Sequence, residues 1–254
     1  MKVDVLGSYG ARLPGFSTAS FMIDDRLLID AGTVTWTLPL EQQLAIDDIL
    51  LTHAHLDHMV DLAFLADNVF GLRKEPIRVW APGAVLSSLH EHLFNNKVWP
   101  DFSNLPGNGG ASLAFCPLDE SGACDVAGFQ LEWARTNHPV CCAGYLLRSG
   151  TSAVLFSGDT GTTEDLWNLG RRCRDLKAAF VEASFPNSRH EMATASGHLT
   201  PALLAGELKK LNRDELTILV YHMKPQFLDE ILAELAELDR EGLQALKGGE
   251  SFRF

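Results

Sequence analysis

Three histidines and an aspartate fall within six residues of this chain, in the run His53-Ala54-His55-Leu56-Asp57-His58. Nine histidines spread evenly over 254 residues would put only about 0.2 in such a window. Imidazole nitrogens and a carboxylate oxygen are borderline ligands that suit zinc. Packed on one turn after a strand, they can diverge in two sets toward two ions. So many polar groups in so small a space are costly unless they bind something. Six residues cannot complete two sites, so further ligands are expected at the ends of later strands. His138 follows the alternating run Phe129, Leu131, Trp133, in the loop Thr136-Asn137-His138-Pro139. Asp159 closes the run Ala153 to Phe156 in Ser157-Gly158-Asp159-Thr160-Gly161, and His222 closes Leu216 to Tyr221. Their shared place after an apolar strand singles them out.

The elements that must position these residues follow from hydrophobic pattern. Short apolar, β-branched runs predict strands at Val3 to Leu6, Phe21 to Ile23, Leu27 to Ile29, Ile49 to Thr52 and Ile77 to Trp80. The same pattern predicts strands at Phe129 to Trp133, Tyr145 to Leu147, Ala153 to Phe156, Ala178 to Val181 and Leu216 to Tyr221. Helical stripes interleave with them, at Leu62, Leu65, Ala66, Val69 and at Val85, Leu86, Leu89, Leu93. A cap at Thr200 with Pro201 in the first helical position starts another helix, and a last one is predicted from Phe227 to about Leu246. Asn95 to Cys116, containing WPDFSNLPGNGG, has no sustained period and reads as a long loop in which Trp99 and Phe102 pack against the body. His90 and His92, two apart on a predicted helix, point in different directions and read as surface residues, and His190 falls in a polar loop beside Asn187 and Arg189. With no repeat, low-complexity tract or linker, one domain is expected over residues 1–254.

Composition narrows the function classes. With 254 residues, 46% apolar and 21% charged, the chain suits one large α/β domain. Its 21 basic against 33 acidic residues give a net charge of −12, which repels polynucleotide backbones and anionic membranes. The apolar runs are broken by charges before they could cross a bilayer, and Met1 to Gly10 does not read as an export leader. The five cysteines, Cys116, Cys124, Cys141, Cys142 and Cys173, form no CxxC and no even framework, so a reducing cytoplasm is the expected location.

The order HAHLDH, lone loop histidine, SGDTG, strand-terminal histidine resembles the metallo-β-lactamase superfamily over nearly the whole chain. The resemblance implies an α/β fold, an αββα sandwich of two packed β-sheets flanked by helices. It also implies that His53, His55 and His138 hold one ion, that Asp57, His58 and His222 hold the other, and that Asp159 bridges them. Two divalent metal ions per chain are therefore expected, zinc before manganese or iron. The segments Phe94-Asn95, Trp99-Pro100-Asp101-Phe102, Leu166-Trp167, Val181-Glu182-Ala183-Ser184-Phe185-Pro186-Asn187 and Ser196-Gly197-His198-Leu199-Thr200-Pro201 narrow the likeness further. Together with the metal motifs they resemble the class II 3′,5′-cyclic-nucleotide phosphodiesterases from Gly7 to Pro225. One departure is Asp61, where that family has a small residue.

The chemistry can be argued beside the resemblance. Two zinc ions about 3.5 to 4 Å apart can share a hydroxide and hold the non-bridging oxygens of a phosphodiester. In-line displacement then needs a proton donor where the sugar oxygen leaves. His198, two residues before the capped helix at Thr200, is the candidate, with Glu182 orienting it. His198, Glu182 and the ligand Asp57 make up the expected catalytic set. The expected reaction is hydrolysis of a 3′,5′-cyclic nucleotide, cAMP or cGMP, to the 5′-nucleotide by attack of a metal-bridging hydroxide. Two other readings are a tRNA 3′-processing endonuclease, which the charge and the lack of a substrate-clamping arm disfavour, and a non-catalytic metal-bound nucleotide sensor. Hydrolysis of a lactam or lactone would not require Glu182 and His198. The expected partner is a small anionic cyclic nucleotide, with no membrane and no polynucleotide, and a homodimer is compatible with the sequence.

Overall fold

A computed structural model describes residues 1–105, 110–119 and 123–254. Fourteen strands are present among them: β1 (Lys2–Gly7), β2 (Ser20–Ile23), β3 (Leu27–Ile29), β4 (Asp48–Leu50), β5 (Ile77–Pro82), β6 (Leu113–Leu118), β7 (Cys124–Val126), β8 (Phe129–Arg135), β9 (Ala143–Ser149), β10 (Ser152–Phe156), β11 (Leu176–Glu182), β12 (Thr217–Tyr221), β13 (Leu243–Ala245) and β14 (Ser251–Arg253). The helices are α1 (Val34–Thr37), α2 (Leu40–Leu44), α3 (Leu56–Asn68), α4 (Gly83–His92), α5 (Asp165–Arg172), α6 (His190–Ser196), α7 (Pro201–Leu208) and α8 (Leu228–Glu237). The strands form two seven-stranded sheets, ordered β14-β1-β2-β3-β4-β5-β6 and β13-β12-β11-β10-β9-β8-β7.

The inner strands β2, β3, β4, β9, β10, β11 and β12 are buried largely on both faces and read as apolar runs, whereas β1, β5 and β8 alternate between buried and more exposed residues. On β10 and β11, Val154, Phe156, Ala178 and Phe180 turn toward the other sheet, where Phe21 meets Phe156 at 5.4 Å and Phe180 at 5.3 Å between ring centroids. The alternate residues Ala153, Leu155, Ala179 and Val181 face a layer that includes Trp167, Leu204 and Ile231 from α5, α7 and α8. Leu62, Leu65 and Ala66 of α3 and Val85, Leu86 and Leu89 of α4 pack with Leu28, Ile49 and Val79 of the first sheet. The expected αββα layering is therefore present.

Three expectations need correction. The last helix ends at Glu237, well short of Leu246, because Asp239 and Gly242 take left-handed backbone with φ of 43° and 75°. The segment beyond becomes β13 and pairs in parallel with β12, matching Ile218 to Leu243. Leu113–Cys116 also leave the predicted loop, forming β6 in parallel with β5. Residues 106–109 of that loop lie outside the described residues. Its anchor is visible: Phe102 is buried with its ring 5.9 Å from that of Phe70, and Trp99 Nε1 donates to the Ala63 carbonyl of α3 at 3.1 Å, so these aromatics pack against the body as expected. His90 and His92 are exposed, while His190 opens α6 and is no longer in a loop.

Asp61 is buried inside α3 and fully engaged. It accepts from Thr35 N and Thr35 Oγ1 at 2.8 Å each and from Arg12 Nη2 at 2.9 Å. Those bonds tie α1 and the segment after β1 to the helix that carries Asp57 and His58.

Phe180 is fully buried and stacks on Phe156 at 4.5 Å between centroids, at the middle of the inter-sheet layer. Phe180→Ala should destabilise the protein by about 3–5 kcal/mol, read as a lowered midpoint of urea unfolding. A change below about 1 kcal/mol would mean that the layer can collapse around the deletion.

Candidate metal centre

The candidate ligands lie where strands end. His53 and His55 follow β4, and Asp57 and His58 occupy the first turn of α3. His138, Asp159 and His222 follow β8, β10 and β12, and Glu182 is the last residue of β11. Because β10, β11 and β12 are mutually parallel, and β8 reaches β10 through two antiparallel pairings, these ends share one edge of the sheet. The parallel β3 and β4 bring Asp30 and His53 to the facing edge of the other sheet.

All seven positions singled out by the sequence converge there. The donor atoms of His53, His55, His138 and Asp159 lie within 4.8 Å of one another, and so do those of Asp57, His58 and His222. Asp159 joins the groups: Oδ2 is 3.5 Å from both His53 Nε2 and His222 Nε2, and Oδ1 is 3.3 Å from His58 Nε2. Inside each group, His55 Nδ1 faces His138 Nε2 at 3.2 Å, and His58 Nε2 faces His222 Nε2 at 3.0 Å.

This donor set fits divalent cations. His53 Nε2 and Asp159 Oδ1 are buried without a hydrogen-bond partner, a state that buried polar atoms rarely keep. Pairs of imidazole nitrogens aimed at each other need a proton or a cation between them. Burial pushes His53, His55 and His138 below the usual histidine range, toward the neutral form that ligates. For His58, burial acts the same way, but the carboxylates of Asp159 and Asp30 outweigh it and raise the pKa. Burial likewise opposes charge on Asp57 and Asp159, yet the surrounding imidazoles hold both carboxyls well below the ordinary range.

The outward nitrogens are held as firmly as the inward ones. His58 Nδ1 donates to Asp30 Oδ2 at 2.7 Å, and His138 Nδ1 donates to the Gly197 carbonyl at 3.0 Å. Thr52 Oγ1 donates to Asp30 Oδ2 at 2.9 Å and therefore accepts from His53 Nδ1 at 3.0 Å. In all three rings this leaves Nε2 free to face the cluster. Gly197 is required where it stands: its φ is +67°, and a Cβ there would lie 2.7 Å from Pro139 Cδ and 3.0 Å from His138 Cα. His222 itself has left-handed backbone, φ 66°, and its N–H donates to the Ser8 carbonyl at 2.6 Å.

His198 stands against both groups, its ring 5.1 Å from that of His138 and 5.4 Å from that of His222. Its Nδ1 donates to Glu182 Oε1 at 2.8 Å, inside a fully buried carboxylate environment. Burial disfavours the imidazolium, but the charge and hydrogen bond of Glu182 outweigh it and raise the His198 pKa. The expected cap behind it is present, with Thr200 Oγ1 accepting from Leu203 N at 3.3 Å.

Sequence reasoning missed Asp30 and Ser184. Asp30 follows the apolar strand Leu27–Ile29, so the strand-end criterion that found Asp159 would have found it as well. Ser184, buried between Glu182, His198 and His222, carries no signal that separates it from other serines.

Known proteins share this architecture. The chain is 25% identical over 284 residues to a probable 3′,5′-cyclic-nucleotide phosphodiesterase of Yersinia pestis, covering 96% of this chain and 79% of that protein. It is 27% identical over 229 residues to 3′,5′-cyclic-nucleotide phosphodiesterase 1 of Saccharomyces cerevisiae, covering 76% of this chain and 61% of that protein. The crystal structure of unliganded yeast PDE1 superposes with a TM-score of 0.81 at 19% identity, over 98% of each chain, which is a likeness of fold. Residues 25–223, which include every candidate ligand, match the beta-lactamase superfamily domain, and the chain belongs to that family, in its metallo-β-lactamase fold.

Proposed function

We propose that this protein is a dinuclear metal phosphodiesterase that hydrolyses 3′,5′-cyclic nucleotides to 5′-nucleotides. The observation that carries the reading is the His198–Glu182 pair, 2.8 Å apart, set beside seven converging ligands. A phosphodiester needs a proton donor for its departing sugar oxygen, whereas a site that only binds metal needs none. The two relatives named for cyclic-nucleotide phosphodiesterase activity support the substrate class.

His53, His55 and His138 would hold one ion, Asp57, His58 and His222 the other, and Asp159 would bridge them. Divalent ions held there supply Lewis acidity toward phosphoryl oxygens and a water deprotonated near neutral pH. The chain's own residues do the rest. Asp30, Thr52 and the Gly197 carbonyl fix three imidazoles with Nε2 inward, so ligand geometry exists before substrate arrives. Glu182 holds His198 by Nδ1, which leaves Nε2 to carry the proton given to the leaving oxygen.

Elemental analysis of the zinc-loaded protein should find two ions per chain, and His222→Ala should lower the count to one. A wild-type value that stays near one under saturating zinc would overturn the dinuclear reading. Incubation with cAMP and cGMP should release 5′-nucleotides; release of 3′-nucleotides alone would place the leaving oxygen on the wrong side of the site.

His198→Ala removes the acid and should slow cyclic-nucleotide hydrolysis by about 10²- to 10⁴-fold. A nitrophenyl phosphodiester expels a phenolate that needs no proton, so on that substrate the same variant should lose far less, with zinc content unchanged. Equal losses on both substrates would reassign His198 to supporting the metal centre.

A further inference from the structure

Ser184 lies at the junction between the acid pair and the ligand cluster. Its Oγ is fully buried, 2.8 Å from Glu182 Oε2, 2.8 Å from His222 Nδ1 and 3.2 Å from His198 Nδ1. A hydroxyl carries one proton and can donate it to one of these neighbours. The carboxylate oxygen only accepts, so that proton goes to Glu182 Oε2. Ser184 Oγ must then accept from His222, which requires the imidazole hydrogen on Nδ1. The lone pair is left on Nε2, the atom that faces Asp57 Oδ2 at 3.2 Å, Asp159 Oδ2 at 3.5 Å and His58 Nε2 at 3.0 Å.

We infer that Glu182 fixes the tautomer of His222 through the Ser184 hydroxyl, so that one carboxylate positions both the proton-donating histidine and a metal ligand. The inference rests on the reading of His222 as a ligand.

The surroundings of Glu182 make the idea testable by a change of a single atom. Its Oε1 accepts from Thr160 N at 3.0 Å and from His198 Nδ1 at 2.8 Å. In Glu182→Gln the amide oxygen must stay at that position, because both neighbours are donors. The amide nitrogen then replaces Oε2 and donates to Ser184 Oγ. The hydroxyl proton then has His222 Nδ1 as its one remaining acceptor, since His198 Nδ1 is itself a donor, and satisfying it moves the His222 hydrogen to Nε2, where a ligand needs its lone pair. Deleting the hydroxyl removes the constraint. Ser184→Ala leaves His222 free to choose its tautomer whether residue 182 is an acid or an amide.

Zinc affinities measured by competition with a chromophoric chelator decide the matter. Glu182→Gln should weaken one of the two ions by about 10- to 100-fold, the range found for partners behind metal-ligating histidines. Ser184→Ala should weaken it less, and Glu182→Gln/Ser184→Ala should recover to the affinity of Ser184→Ala. The recovery is the signature, since damage from misfolding or lost packing would accumulate. Unchanged zinc affinity in Glu182→Gln, or additive losses in the double variant, would overturn the inference. His222→Ala tests the premise separately. If it retains both ions, the ligand reading itself is wrong; if it loses one while the double variant fails to recover, only the tautomer inference falls.

Discussion

An imidazole buried as a ligand has two nitrogens to satisfy, and the second constrains the structure more widely than the first. Every histidine that turns one nitrogen to the centre must find an acceptor for the other, or the ring rotates and its tautomer is undefined. For four rings here the acceptor comes from a different element: Asp30 after β3, Thr52 after β4, the Gly197 carbonyl after α6 and Ser184 after β11. The centre is thus anchored in both sheets and in the loop before α7. Glycine at 197, where the backbone is left-handed and a Cβ would strike Pro139, is one local consequence, and the left-handed backbone of His222 is another.

The sheets answer this demand through strand direction. Parallel strands bring their C-terminal ends to one edge, and the residue after each strand can project into a shared crevice. In the second sheet β10, β11 and β12 deliver Asp159, Glu182 and His222 in this way, while β3 and β4 deliver Asp30 and His53 from the first. The inter-sheet aromatics Phe156, Phe180 and Tyr221 lie on the strands that end at Asp159, Glu182 and His222, and all three pack on Phe21 of β2. Packing of that layer consequently sets the spacing of the candidate ligands.

How much was legible in the sequence follows from the same physics. The ten inner strands read as apolar runs or, in β1, β5 and β8, as alternating ones. The four that escaped prediction, β6, β7, β13 and β14, are the edges of the two sheets, where one flank meets solvent and the pattern thins. The predicted extension of the last helix failed for a related reason: Leu243 and Leu246 keep a helical spacing, but two left-handed residues before them turn the chain into an edge strand. At the site, histidines are rare enough for six residues to announce a metal centre. Asp30 carries the same strand-end signal as Asp159, but Ser184 and Thr52 are ordinary residue types, and only their distances to a ring nitrogen reveal their part.

Charge counting links the cluster to the proposed chemistry. Asp30, Asp159 and Glu182 are buried and Asp57 half-buried, so four formal negative charges occupy one small volume. Uncompensated, such a group would be strongly destabilising. Divalent cations held in the cluster offset it, together with the imidazoles of His58 and His198, whose pKa values the neighbouring carboxylates raise. A protonated His198 places a positive charge beside the crevice, opposite in sign to that of a bound phosphodiester. The net charge of −12 does not conflict with an anionic substrate, because surface charges are screened beyond about 8 Å at physiological ionic strength, whereas the charges inside the crevice are not. A long polyanion would meet the whole surface, but a single cyclic nucleotide meets only the centre.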